Sequence, residues 1–348
     1  MRAYFDPEQL RHDPQQFMRV GRICAPSDVP ERSQALLQAL AGLKIPVEAP
    51  QDYGIAPLAT VHAPHYLDYL AGAYERWQAL PGAGIEVLPN LSPYLSGRIE
   101  DAVRPPCPSA SPVAQAGYYL GDLSCPIGPH SWRSILRSAH SAVAAADAVA
   151  AGERASYALC RPSGHHVRGD RASGFCYLNN AAVAVERLRK RFDRVAVLDV
   201  DAHHGDGTQQ IFYRRADVLT VSLHVDPANY YPFYTGYAAE RGHGAGLGYN
   251  LNLPLAPGAG DADLLSRLDE GLAAIRDYRP DALVMSLGFD THDQDPIGAL
   301  HISTGCFGHI GARVRALALP TAVIQEGGYA VQVIGACLTA FMREFLRA

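Results

Sequence analysis

Five ionisable side chains crowd the stretch "LDVDAHHGDG", residues 198–207: Asp199, Asp201, His203, His204 and Asp206. Carboxylates and imidazoles at this density are the parts of a metal site or of an acid–base pair. Asp201 and His203 stand two apart at what reads as a strand end, and in extended backbone side chains i and i+2 share a face. A carboxylate and an imidazole aimed at one point make half of a site for a divalent ion. Asp199 belongs to the apolar run that leads in ("RVAVLDV"), so it is predicted to be buried and to need a partner. "RPSGHH" supplies tandem His165 and His166 after another apolar run, with Gly164 permitting a tight turn. An aspartate paired with one ring nitrogen of each would fix the tautomer and raise the basicity of the other nitrogen. A third ligand has to come from another strand end. "SLGFDTH" offers Asp290 and His292, and "QEGGY" offers Glu326 and Tyr329, the last able to present a hydroxyl to a substrate oxygen.

Such a set works only if several strand ends meet. "SYALCRP", "RVAVLDV", "VLTVSLHV", "YNLNLPL", "DALVMSLGFD" and "TAVIQEGGY" read as strands, alternating with helical stretches such as "YLNNAAVAVERLRKRF" and "DADLLSRLDEGLAAIRDYRP". Short, continuously apolar strands alternating with helices predict an α/β fold whose parallel sheet is covered on both faces. Ligands bind such sheets at the carboxyl ends of the strands. The unusual chemistry falls there, at 161–166, 199–206, 222–226, 288–292 and 326–329. One segment, about 81–130, is rich in Pro, Gly and Ser and lacks a period. A connection this long inside a compact domain reads as a lid, a binding loop or an oligomerisation arm.

The bulk properties narrow the class. A chain of 348 residues with 48% hydrophobic content can bury a large core. A net charge of −5 provides no basic field for nucleic acid or an anionic membrane. The seven scattered cysteines form no CxxC pair, which points to a reducing compartment. Neither an N-terminal apolar segment nor a run of about 18 apolar residues is present, so a cytoplasmic protein is expected.

Taken together, "RPSGHH", "GFCYLNNAA", "VLDVDAHHGDGTQQIF", "VSLH", "SLGFD" and "QEGGY" resemble, in order, the motifs of the histone deacetylase superfamily of zinc amidohydrolases. The match is dense over roughly 130–348. The resemblance implies one arginase/deacetylase-like three-layer α/β/α domain over 1–348, with a mostly parallel eight-stranded sheet. It implies one zinc ion on Asp201, His203 and Asp290. It assigns His166 as general base and acid backed by Asp206, His165 as its electrostatic neighbour backed by Asp199, and Tyr329 as the hydroxyl that binds the scissile carbonyl. Phe175 and Tyr231 match the aromatic walls of the substrate channel, and Gly174 its backbone acceptor. Structural potassium is implied at backbone oxygens near Asp199, Asp201 and His203 with the Ser222 hydroxyl, and a second site near Phe212 and Val218. His204 is left without a catalytic role and reads as structural.

The same residues weigh against two rivals. A di-manganese ureohydrolase would carry the last carboxylate of a DAHxD signature at position 205, where this chain has Gly205. A catalytically dead acyl-amine binder would have lost a ligand, the base or the tyrosine, and all are present. The 81–130 segment resembles the loop of bacterial acetylpolyamine amidohydrolases, where it crosses to a partner subunit and narrows the channel. Small cationic acetylated amines and a homodimer are therefore expected, with acetyl-lysine in proteins or peptides as the alternative substrate. An acidic mouth would attract a second ammonium: Asp122 is the first candidate, then Glu86, Glu100 and Asp101. Against long polyamines, "HDPQQFM" has amides at Gln15 and Gln16, where some polyamine-specific relatives place a Glu.

Overall fold

The computed structural model describes residues 1–93 and 104–347. In chain order the elements are β1 (Arg2–Tyr4), β2 (Phe17–Arg19), β3 (Arg22–Cys24), α1 (Glu31–Gly42), β4 (Val47–Glu48), α2 (Pro64–Gln78), α3 (Pro112–Tyr119) and α4 (Ser131–Ala150). These are followed by β5 (Ala155–Ala158), α5 (Asn180–Leu188), β6 (Val195–Asp199), α6 (Asp206–Phe212), β7 (Val218–Val225) and β8 (Asn250–Leu255). The last are α7 (Asp261–Tyr278), β9 (Ala282–Leu287), α8 (Thr304–Arg315), β10 (Thr321–Gln325) and α9 (Val331–Phe345).

The main sheet has eight strands in the order β4-β1-β5-β10-β9-β6-β7-β8, and its described pairings are all parallel. Every residue of β5, β6, β7, β9 and β10 is buried. Strands covered on both faces have no solvent side, which is why they read as unbroken apolar runs rather than alternating ones. One face packs against α1, α7, α8 and α9 through residues such as Leu36, Leu268, Phe307 and Phe341. The other packs against α4, α5 and α6 through alanine-rich contacts including Ala145, Ala181 and Phe212. Local signals set the helix starts: the Asn179 side chain accepts from Ala182 N (2.9 Å) at α5, and the Ser303 side chain accepts from Cys306 N at α8.

Strands β5, β10, β9, β6 and β7 are consecutive neighbours in the sheet. The loops leaving their carboxyl ends therefore converge on one spot. Register reinforces this, with Asp199 of β6 level with Ser222 of β7 and Ser286 of β9.

Two features depart from the sequence reading. The edge strand β4 and its neighbour β1 are two and three residues long, too short to leave a period. The 81–130 segment is not featureless where it is described. It contains α3, its Val87 and Ile127 exchange backbone hydrogen bonds, and Tyr119 stacks on Tyr69 of α2 at 4.7 Å. Tyr118, Tyr119 and Ile127 join a second apolar cluster with α2 and α4.

Leu198 is fully buried at the centre of β6. Leu198→Ala is expected to lower unfolding free energy by about 2–5 kcal/mol in urea titrations. A loss below about 1 kcal/mol would contradict a closely packed central strand.

Candidate active site

The metal-ligand candidates come together. Asp201, His203 and Asp290 place one ligand atom each within 4.8 Å of the others, and all three residues are buried. His203 turns Nδ1 toward both carboxylates, 2.9 Å from Asp290 Oδ2 and 3.3 Å from Asp201 Oδ1. The carboxylates are held from behind by backbone donors: Ala202 N to Asp290 Oδ1 (2.8 Å) and Gly327 N to Asp201 Oδ2 (2.8 Å).

The route to this convergence differs from the one expected. β6 stops at Asp199, and residues 201–203 form a bend. Asp201 and His203 meet because His203 N donates to Asp201 Oδ1 at 2.9 Å, which curls the chain back on its own carboxylate. Extended alternation along a strand is not the cause.

Two buried carboxylates this close cannot both be charged without compensation. Burial, and then the neighbouring Asp201 charge, push the Asp290 carboxyl up to about 7. Burial works against charge on His203 as well, but hydrogen bonds and attraction from the two aspartates outweigh it and raise the imidazole to about 9. Two oxygen donors and one imidazole, all buried, fit a divalent ion with a coordination position left open.

The histidine pair is built from the loop after β5. His165 Nδ1 lies 2.9 Å from Asp199 Oδ2, and His166 Nδ1 lies 2.9 Å from Asp206 Oδ1. Asp206 also takes Arg168 at 3.3 Å, and Asp199 accepts from Asp201 N at 3.0 Å. Their environments push the two imidazoles apart. Burial disfavours charge on both, yet the carboxylates of Asp201, Asp199 and Glu326 hold His165 well above the usual histidine range. His166 is lowered, first by burial and then by the charge of His165. With Nδ1 committed to Asp206, its Nε2 is left for the channel.

A cavity of about 460 Å³ runs from this centre to the surface, lined by His166, His203, Tyr329, Phe175, Tyr231 and Asp122 among others. Tyr231 stands edge-on to His166 at 5.0 Å, and Phe175 edge-on to Tyr329 at 5.6 Å. Gly174 (φ 56°) is required here, since a Cβ would fall 2.3 Å from the His166 ring. Burial, eased by Arg32, raises the Tyr329 hydroxyl well above its ordinary value, so it remains a donor.

Three expectations change on contact with the structure. Asp122 lines the cavity, but its carboxylate is engaged: Oδ1 takes Ser124 N (2.9 Å) and Oγ (2.5 Å), and Oδ2 takes Gly174 N (3.1 Å) and the Tyr231 hydroxyl (2.7 Å). It braces the channel wall through these four bonds. Glu86 is buried, accepts from Gln15 N at 2.9 Å, and is absent from the cavity lining. Glu100 and Asp101 lie outside the described residues. His292, the other imidazole offered by "SLGFDTH", is drawn off to Thr304 Oγ1 at 2.9 Å.

Ser222 is buried between His224 Nδ1 (2.8 Å) and His204 Nδ1 (3.2 Å). His204 is kept neutral by burial and by three nearby imidazoles, in keeping with a structural role. Gly205 has a physical reason of its own. A Cβ there would lie 2.6 Å from Asp199 Oδ2 and 3.2 Å from His165 Nδ1, so the space a second-metal carboxylate would need is taken by the Asp199–His165 pair.

Some lining and bracing residues were not foreseen. Tyr230 stacks on His203 at 4.7 Å and hydrogen-bonds Ile297 O at 2.5 Å; its only sequence signal is adjacency to Tyr231. Asp295 accepts from Tyr329 N (2.7 Å) and Ala330 N (3.2 Å), and "DQDPIG" carries the signature of such a turn. Arg32 of α1 reaches Glu326 O (2.8 Å) and Gly328 O (2.5 Å) and covers the Tyr329 ring at 4.6 Å. Nothing in "PERSQALL" announces it.

Comparison with known proteins decides the family. The histone deacetylase domain matches residues 27–345. The chain belongs to the histone deacetylase domain family. It is 47% identical to the acetylpolyamine amidohydrolase of Burkholderia pseudomallei, over 99% of this chain and 98% of that one. It is 42% identical to acetylpolyamine amidohydrolase 1 of Pseudomonas aeruginosa, over 96% and 95%. The crystal structure of the acetylpolyamine aminohydrolase from Burkholderia pseudomallei superimposes with a TM-score of 0.94 at 46% identity, covering 100% of this chain and 99% of that one. The fold is thus the deacetylase α/β fold, and the chain is a hydrolase of amide bonds.

The His166–Asp206 pair makes a pH prediction. A base must be neutral, so kcat/KM is expected to fall as pH drops through the pKa of His166, below 6.5. Asp206 raises that pKa, so Asp206→Asn is expected to move the acid limb to lower pH. It should also cut the rate at neutral pH about 10–100-fold through lost control of the tautomer. An acid limb that moves upward would contradict the assignment.

Proposed function

We propose that this chain hydrolyses the amide of small acetylated amines, acetylpolyamines such as acetylputrescine or acetylcadaverine, releasing acetate and a free amine. The observation that carries the reading is one aromatic-walled cavity lined by His203, His166 and Tyr329, where His203 belongs to the Asp201–His203–Asp290 trio and His166 is paired with Asp206. The names of the full-length relatives support the substrate class.

Asp201, His203 and Asp290 hold one divalent ion per chain, and zinc suits their oxygen and nitrogen donors. Such an ion supplies Lewis-acid polarisation of the acetyl carbonyl and of the attacking water. The protein does the rest. The walls of Phe175 and Tyr231 hold the alkyl chain of the amine and exclude bulk water from the reacting amide. His166 Nε2 takes a proton from water as it attacks the acetyl carbon. The Tyr329 hydroxyl donates to the oxygen that gains negative charge. His165, its pKa raised by its three carboxylate neighbours, adds positive charge beside His166. The proton on His166 then passes to the leaving nitrogen, and Asp206 keeps the ring oriented through both transfers.

Two further parts belong to this reading. Structural potassium would be held by backbone oxygens near Asp199, Asp201 and His203 with the Ser222 hydroxyl, where it would balance the buried acids, and a second ion would be held by backbone oxygens near Phe212 and Val218. A second copy of the chain covers the apolar strip formed by Met18, Ile23, Leu88 and Leu91 beside the channel, of which Met18, Ile23 and Leu91 are exposed. That contact narrows the entrance to thin, flexible substrates.

Tyr329→Phe is expected to keep its bound metal by elemental analysis while kcat falls about 10²–10³-fold, the cost of losing one oxyanion donor. Undiminished turnover would remove Tyr329 from the mechanism. Light scattering is expected to report twice the chain mass. A monomer that is fully active on acetylputrescine would refute the covered entrance.

A further inference from the structure

The mouth of the channel carries a guanidinium and, among the described residues, no free carboxylate. Arg19 ends β2 next to the turn at Val20 (φ 49°) and Gly21 (φ 73°), and it lines the same cavity as His166, Tyr231 and Tyr329. This hairpin is tied down. Met18 N donates to Leu123 O at 3.1 Å, and the Phe17 ring packs edge-on against Phe175 at 5.5 Å. The backbone that carries Arg19 is therefore anchored at the rim.

Arg19 is the one guanidinium of the described lining. Asp122 is its one carboxylate, and the four acceptor positions of that group are filled by Ser124, Gly174 and Tyr231. The residues leading into the hairpin, Gln15 and Gln16, are neutral amides. Inside the rim the lining is aromatic, with Tyr230, Tyr231 and Phe233. Aromatic faces hold one ammonium well through cation–π contact. A longer polyamine must carry its further ammonium groups past Arg19, where like charges are disfavoured.

We propose that Arg19 is a specificity-determining residue that favours acetylated diamines, with one ammonium beyond the amide, over acetylated triamines and tetramines. This rests on the acetylated-amine reading above. Substrate length would then be limited by charge count at the rim as well as by channel width.

The test is kcat/KM for N-acetylputrescine, N1-acetylspermidine and N1-acetylspermine with the intact enzyme, Arg19→Lys, Arg19→Ala and Arg19→Glu. The ratio of acetylspermine to acetylputrescine is expected to hold in Arg19→Lys. It should rise on the order of fivefold in Arg19→Ala, the effect of a solvent-screened charge, and further in Arg19→Glu. In the unaltered enzyme the same ratio should rise with added salt, which tests the idea without any variant. A ratio that is unchanged or falls in Arg19→Glu, or that falls with salt in the unaltered enzyme, overturns the role of Arg19. Failure of the unaltered enzyme to cleave any of the three would instead overturn the acetylated-amine reading beneath it.

Discussion

Two carboxylates buried side by side are the constraint around which the site is organised. Asp201 and Asp290 are fully buried, and burial, then the charge of Asp201, push the Asp290 carboxyl up to about 7. Nothing in an apolar core tolerates that arrangement unless positive charge and donors are delivered to the same point. The parallel sheet delivers them. Neighbouring strands release their loops at one end, and backbone N–H groups of Ala202 and Gly327 arrive from β6 and β10 with a fixed aim. The imidazole of His203 completes the ring, and a divalent ion placed among the three removes the conflict that the bare side chains cannot resolve.

The same bookkeeping of charge separates two adjacent histidines into different roles. His165 and His166 are sequence neighbours with rings 4.1 Å apart. Both are buried and both have an aspartate on Nδ1, so local sequence does not distinguish them. The second layer of carboxylates does. Asp201 and Glu326 face His165 and raise its pKa, while burial and then the charge of His165 lower that of His166. Two titratable groups pushed apart by their environments are the arrangement in which one can stabilise charge while the other moves a proton.

Much of this was legible in the sequence because it sits in short, contiguous runs. The central strands are apolar throughout, and the ionisable residues follow them at once, so sheet type and the end bearing the site could be read together. Long-range bracing was not legible. Arg32 lies far from "QEGGY" in the chain, and only the packing of α1 against α9 brings it to Glu326 O and Gly328 O, where it forms a buried ionic cluster with Asp28 and Arg161. The bend at 201–203 escaped for a different reason. A backbone N–H returning to its own aspartate two residues earlier leaves no periodic trace, and a two-residue spacing fits a strand and a turn equally well.

Asp122 shows how an acid at a cationic substrate's doorway can be something other than a lure. A carboxylate offers about four acceptor positions, and here they hold one turn, one glycine with left-handed backbone and one tyrosine hydroxyl in register. The cost of desolvating the acid is met by those donors, and in exchange Tyr231 keeps a single orientation edge-on to His166. A group so fully engaged meets an ammonium through the field of its charge, because a direct hydrogen bond would mean giving up a donor already in place. Selection by charge then falls to groups on the rim that are not already paired. That shifts it away from the long insertion and toward the small β2–β3 hairpin, a piece of structure too short to draw notice in the sequence yet anchored to Leu123 and Phe175 on the channel wall.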